Sequence, residues 1–109
     1  MSVSISIELT PHPDIENFMV SDVLVHQGPY EFDRQSDTQK APLAQKLFQI
    51  KGIEKIIFFT NCVQITREKN ADWLELEELI APILEKHLIE QEKTVQEKPS
   101  LQIVVPMEK

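Results

Sequence analysis

The chain has 109 residues, of which 41% are hydrophobic and 27% charged, with a formal net charge of −7. That is enough for one domain around one modest core, and the acidic balance excludes nucleic acid and an anionic membrane surface as principal partners, since both are polyanions. No apolar run approaches the ~20 residues that span a bilayer, and a single cysteine, Cys62, excludes an internal disulfide and fits a reducing compartment.

At the N-terminus, Val3, Ile5, Ile7 and Leu9 alternate with Ser4, Ser6 and Glu8. This period of two predicts a half-buried strand. It is unlike the basic start and continuous apolar block of a signal peptide, so a cytoplasmic, unprocessed protein is expected. Thr10-Pro11-His12-Pro13-Asp14 follows. Its two prolines fix φ and remove two backbone donors, which ends regular structure there. A second strand is predicted over Asn17 to Val20, with Phe18 and Val20 inward. Val23 to His26 either prolongs it or forms a strand of its own. Gly28-Pro29 signals a turn, and Tyr30 and Phe32 a third short strand. Asp33 to Lys40 is wholly polar and reads as an exposed loop.

From Pro42 to Ile50 the period becomes helical, with Leu43, Leu47 and Ile50 on one face. Pro42 suits the first helical turn and Gly52 the position beyond the end, while Ala41 offers no capping side chain. Ile53 to Phe59 is dense in β-branched and aromatic residues and predicts a strand. Thr60-Asn61 turns it back into a partner strand carrying Val63 and Ile65, making a β-hairpin. A second helix is predicted from Asp72 to about Leu88. Asp72 and Glu75 have capping-box spacing, and Trp73, Leu76, Ile80, Ile83, Leu84 and His87 form its stripe. Pro82 should kink this helix or divide it, and the unbroken stripe favours a kink. Residues 91–109 read as a charged linker followed by the apolar island Leu101, Ile103, Val104 and Val105, either an edge strand or a tail.

The order β-β-β-α-β-β-α with short turns predicts an α+β domain over residues 1–90. It should be a two-layer sandwich, a mainly antiparallel sheet with both helices on one face.

Four stretches carry a resemblance to the N-terminal domain of Nfu/NifU-like iron–sulfur scaffold proteins. Thr10-Pro11-His12-Pro13 with Phe18 is similar to the family's T-P-N-P…K-F. Pro42-Leu43-Ala44 with Leu47-Phe48, Ile50 and Gly52-Ile53 resembles P-L-A-x-x-L-F-x-I-x-G-V. Ile56 to Arg67 is similar to V-F-F-x-x-D-F-I-T-V-T-K, with Asn61 and Cys62 in place of the Asp-Phe. Asp72-Trp73 with Leu76 and Ile80 resembles the closing D-W-x-x-L helix. In many members of that family a second domain carries a C-x-x-C that holds a cluster between two subunits, whereas these 109 residues contain one cysteine. The resemblance therefore implies a non-enzymatic accessory or interaction module of iron–sulfur assembly or delivery, not itself a scaffold. Its partners would be assembly proteins or their clients, and iron or a cluster would reach it only through a partner or a homodimer.

The residues themselves leave several readings of the chemistry open. A cluster or structural zinc needs about four soft or imidazole ligands. Cys62, His12, His26 and His87 are scattered and lack the usual local pairs. Cys62 is a single ligand, a reactive thiol in a small enzyme or redox protein, or a small buried hydrophobe. Glu77 and Glu78 are neighbours on a helix and diverge into solvent. Trp73 is either core or an interface anchor. The best candidate for an interaction surface is Thr10, Pro11, His12, Pro13 and Asp14, with Asn61, because prolines pre-order the backbone and lower the entropy lost on binding. An acidic module for basic partners outside iron–sulfur biology is the remaining alternative.

Overall fold

Apolar side chains placed every second residue build a sheet with one wet and one dry face. In the computed structural model, which describes residues 4–90 and 94–95, the strands are β1 (Ile5–Leu9), β2 (Ile15–Val20), β3 (Tyr30–Asp33), β4 (Ile53–Phe59) and β5 (Cys62–Arg67). The helices are α1 (Pro42–Phe48) and α2 (Trp73–Glu90). One antiparallel sheet runs in the order β1-β2-β5-β4-β3. The α+β sandwich expected from the sequence is thus the observed architecture.

The registers explain which face is dry. Ile7, Phe18, Val63, Phe58 and Tyr30 lie in one lateral row, and Leu9, Glu16, Ile65, Ile56 and Phe32 in the next. Phe18, Val63, Phe58, Ile65 and Ile56 of these rows meet Leu43 and Leu47 of α1 and Leu76, Ile80 and Leu84 of α2 in a single core, with Tyr30 and Phe32 packed against it, while Ile7 and Leu9 at the β1 edge stay exposed. The opposite face carries the rows Ser6, Met19, Cys62, Phe59 and Glu8, Asn17, Gln64, Ile57, Glu31.

Local chemistry sets the ends of the elements. Helix α1 begins with Pro42 at its first turn, and Ala41 makes no side-chain cap bond. Arg34 closes its other end, donating from Nη1 to the Phe48 carbonyl at 2.9 Å, from Nη2 to Ile50 at 2.7 Å and from Nε to Ile53 at 2.8 Å. The polar loop after β3 therefore supplies the missing donors for orphan helix carbonyls. Gly52 follows at φ 101°, where an added Cβ would lie 2.9 Å from that of Ala71, so both conformation and space call for glycine. The Asp72 carboxylate accepts from the Leu74 N–H at 3.1 Å and caps α2.

Helix α2 runs through Pro82 as one 18-residue element. Its buried stripe of Leu76, Ile80, Leu84, His87 and Leu88 holds it on the sheet across the missing hydrogen bond. Strand β2 starts two residues earlier than the sequence suggested, which adds Glu16 to its inward face. Leu24 and Val25 are buried without belonging to a strand. Beyond residue 90, Thr94 is buried and hydrogen-bonds His87 Nε2 at 2.9 Å, and Val95 packs on the core. The island from Leu101 to Val105 lies outside the described residues, as does Val3.

Candidate functional site

The turn between β1 and β2 is fixed by its own polar groups. The Thr10 hydroxyl lies 2.9 Å from the His12 carbonyl oxygen and 2.8 Å from that of Ile15, and it accepts the His12 N–H at 3.1 Å. The Asp14 N–H donates to His12 Nδ1 at 3.1 Å. That bond requires Nδ1 to be unprotonated, so Nε2 carries the proton in the neutral ring.

Two side chains from the far end of the sequence clamp this turn. Trp73, at the start of α2, donates from its indole to the Pro13 carbonyl at 2.9 Å. Arg67, at the end of β5, pairs through Nε with Asp14 Oδ1 at 3.1 Å, donates from Nη1 to the Ala71 carbonyl at 3.0 Å, and lies 5.6 Å from the centre of the Trp73 ring. The Arg67–Asp14 pair is mostly shielded, with side-chain exposures of 22% and 24%, so it is screened less than an open surface pair. Pro11, His12 and Pro13 remain exposed on this clamped backbone. Leu9 and Leu74 are exposed on the flanking elements.

Beneath the clamp lies a group that the sequence reading did not single out. Glu16 is 5% exposed and stands between Leu9 and Ile65 in its row. Its carboxyl is raised from 4.5 to about 7, first by burial, then by a hydrogen bond and charge repulsion from Glu77, with Arg67 acting in the opposite sense. Oε1 has no hydrogen-bond partner among the described residues. The signal was available in sequence, because Glu16, Phe18 and Val20 share one parity. The arrangement can hold or release a proton near neutral pH.

The remaining candidates separate in space. Asn61 sits in the β4–β5 turn, where its carbonyl accepts the Val20 N–H at 2.9 Å. It therefore lies beyond the end of β2, whereas Thr10 to Asp14 lie before its start, about 17 Å away for a strand of this length. The structure brings Thr10, Pro11, His12, Pro13 and Asp14 together and leaves Asn61 beside Cys62 instead. Cys62 lies on the helix-free face, 7% exposed, and its thiol is pushed up by burial and then by the charge of Glu8. His12 is at the other end of the sheet and His87 in the helical layer, and His26 is exposed in the loop after Val25. Among the described residues no cluster of three or more His, Cys, Asp or Glu side chains could hold a metal ion. Nor is any described helix long and apolar enough to cross a membrane.

Comparison with known proteins agrees with this frame. The profile of the family described as scaffold protein Nfu/NifU N terminal matches residues 5–91. A NifU-like protein of Schizosaccharomyces pombe is 29% identical over 100 residues, covering 90% of this chain and 38% of that protein. The mitochondrial NFU1 iron–sulfur cluster scaffold homolog of Drosophila erecta is 32% identical over 73 residues, covering 66% of this chain and 26% of its own length. The chain thus spans well under half of these relatives. In structure it is similar to a NifU-like protein of Saccharomyces cerevisiae, with a TM-score of 0.80 at 17% identity over 89% of this chain and 87% of that one. A Staphylococcus aureus protein matches with a TM-score of 0.65 at 18% identity, over 78% of this chain and 100% of that one. At such identities the structural likeness speaks for the fold.

Proposed function

The chain belongs to the Nfu/NifU N-terminal family, and from this premise we propose that it is a non-enzymatic protein-interaction module of iron–sulfur cluster assembly or delivery that does not itself scaffold a cluster. The observation that carries the reading is the Thr10–Asp14 turn, which Trp73 and Arg67 hold in one conformation while Pro11, His12 and Pro13 stay exposed. A partner docking there loses little conformational entropy, because the turn is already ordered. Cys62 supports the second half of the proposal. A cluster needs about four thiolate-like ligands, and the one cysteine of this chain is buried with its thiol held protonated. Iron or a cluster would arrive on the partner, a protein of iron–sulfur assembly or a client. The compartment is a reducing one, the cytoplasm read from the sequence or the mitochondrial setting named for the Drosophila relative.

An anaerobic pull-down with the full chain, read by mass spectrometry, tests this. Assembly proteins or iron–sulfur clients should co-purify with the native chain and be lost with the double variant Pro11→Ala, His12→Ala. Stoichiometric iron and sulfide on the isolated chain, retained until Cys62→Ala removes them, would overturn the proposal. Native Cys62 should alkylate slowly at neutral pH and rapidly after denaturation. Fast native labelling would favour the thiol-enzyme reading instead.

A further inference from the structure

Strand β1 is an edge of the sheet. The Ser21 N–H donates to the Ser4 carbonyl at 3.0 Å, and Ser4 faces Ser21 in the register that sets Ile5 against Val20. Antiparallel ladders alternate, so Ser6 and Glu8 turn their backbone groups toward β2, while Ile5, Ile7 and Leu9 turn theirs outward. Their side chains point to the helical side, where Ile5 packs half-buried against the core but Ile7 and Leu9 are left uncovered. Ile7 is 39% exposed and Leu9 78%. A groove of about 470 Å³ runs there between strand and helix, lined by Ser4, Ile5, Ile7, Ala81, Pro82 and Glu85. Glu85 brings a carboxylate to this lining, Glu8 is exposed on the opposite face of β1, and Glu75, Glu78 and Glu90 are exposed elsewhere on α2.

We propose that the β1 edge accepts an extended segment of a partner protein by strand addition, the segment alternating aliphatic residues with lysine or arginine. Its backbone pairs with Ile5, Ile7 and Leu9, and its aliphatic side chains enter the groove over Ala81 and Pro82. Its basic side chains lie on the other face beside Glu8, and the net charge of −7 draws the segment in. A second copy fits less well, because two chains of net charge −7 would bring both Glu8 and both Glu85 side chains to one seam. This surface is separate from the Thr10–Asp14 turn, so either can fail alone.

The probe is a labelled synthetic peptide of sequence K-V-K-I-K-V-K, followed by fluorescence anisotropy against the full chain. The amides of Ile5, Ile7 and Leu9 should gain protection from hydrogen exchange. Glutamate in place of every lysine in the peptide should weaken binding at least ~10-fold, as should N-methylation of the peptide amides that face β1. Glu8→Gln with Glu85→Gln should weaken it by ~3–10-fold and flatten its salt dependence. Equal affinity of the N-methylated peptide, or protection that appears on β3 instead, would overturn the proposal. So would protection at β1 that grows with protein concentration as the mass doubles, since a second copy would then be the occupant. Exchange at β1 that rises, without peptide, when residues 96–109 are removed would assign the edge to the chain's own C-terminal segment and likewise end it.

Discussion

The two ends of β2 are held by different means. At its start, side chains distant in sequence converge: Arg67 grips Asp14 and the Ala71 carbonyl, Trp73 grips the Pro13 carbonyl, and Glu16 sits beneath, close to Glu77 and Arg67. At its finish backbone-to-backbone bonds dominate, with Val20 N–H to Asn61, Leu24 N–H to Thr60 and Ser21 N–H to Ser4, beside one bond from the Ser4 N–H to the Ser21 hydroxyl. A backbone-held end tolerates changes of side chain, whereas a side-chain-held end concentrates its stability, and its response to pH, in a few residues.

The sharpest way to break the contrast is Arg67→Ala. It removes an ion pair, a carbonyl bond and a ring contact together, and should cost about 2–3 kcal/mol in denaturant unfolding. A cost below about 1 kcal/mol would mean that the clamp is not what holds this end. Next comes Glu16→Gln. The Glu16 carboxyl titrates at about 7 in the fold against an ordinary 4.5, so between those values the folded chain binds more protons than the unfolded one. Its favourable contribution is complete below pH 4.5 and is lost as pH rises through about 7. Glutamine stays neutral, so the variant should gain about 1–3 kcal/mol at about pH 8 and almost nothing at about pH 4. An equal effect at both values would place the cause in packing rather than charge. Trp73→Phe keeps the ring and deletes the indole bond to Pro13, for a cost of about 1 kcal/mol, and should raise hydrogen exchange in the turn. Asn61→Ala, at the opposite end, should change stability by less than about 0.5 kcal/mol. A loss as large as that of Trp73→Phe would erase the distinction between the ends.

Much of this was legible in the chain. The strand over Ile5 to Leu9, the Pro42 start, the Thr60-Asn61 turn and the stripe from Leu76 to Leu84 each report local geometry and appear as read, but the burial expected of β1 does not, since Ile7 is 39% and Leu9 78% exposed. What sequence spacing conceals is which distant parts meet. Asn61 and the Thr10–Asp14 turn were grouped as one surface, but their positions depend on β2 lying antiparallel to β5, which sets them a strand length apart. Arg34 read as a loop residue because its three carbonyl partners lie at the end of α1, just beyond it and at the start of β4. Glu16 escaped notice because a carboxylate at an inward position contradicts the hydrophobic pattern that defines a strand. Leu24 and Val25 show the converse, since burial there comes without ladder pairing.

The placement of β5 between β2 and β4 also bears on how the molecule assembles. The β1–β2 and β4–β5 hairpins close across short turns, but joining them requires Phe18 to find Val63 with β3, α1 and β4 lying between them in the chain. That loop closure is the slow entropic step. Mutations along the β2–β5 seam should therefore slow refolding, while those confined to the Thr10–Asp14 turn should mainly hasten unfolding.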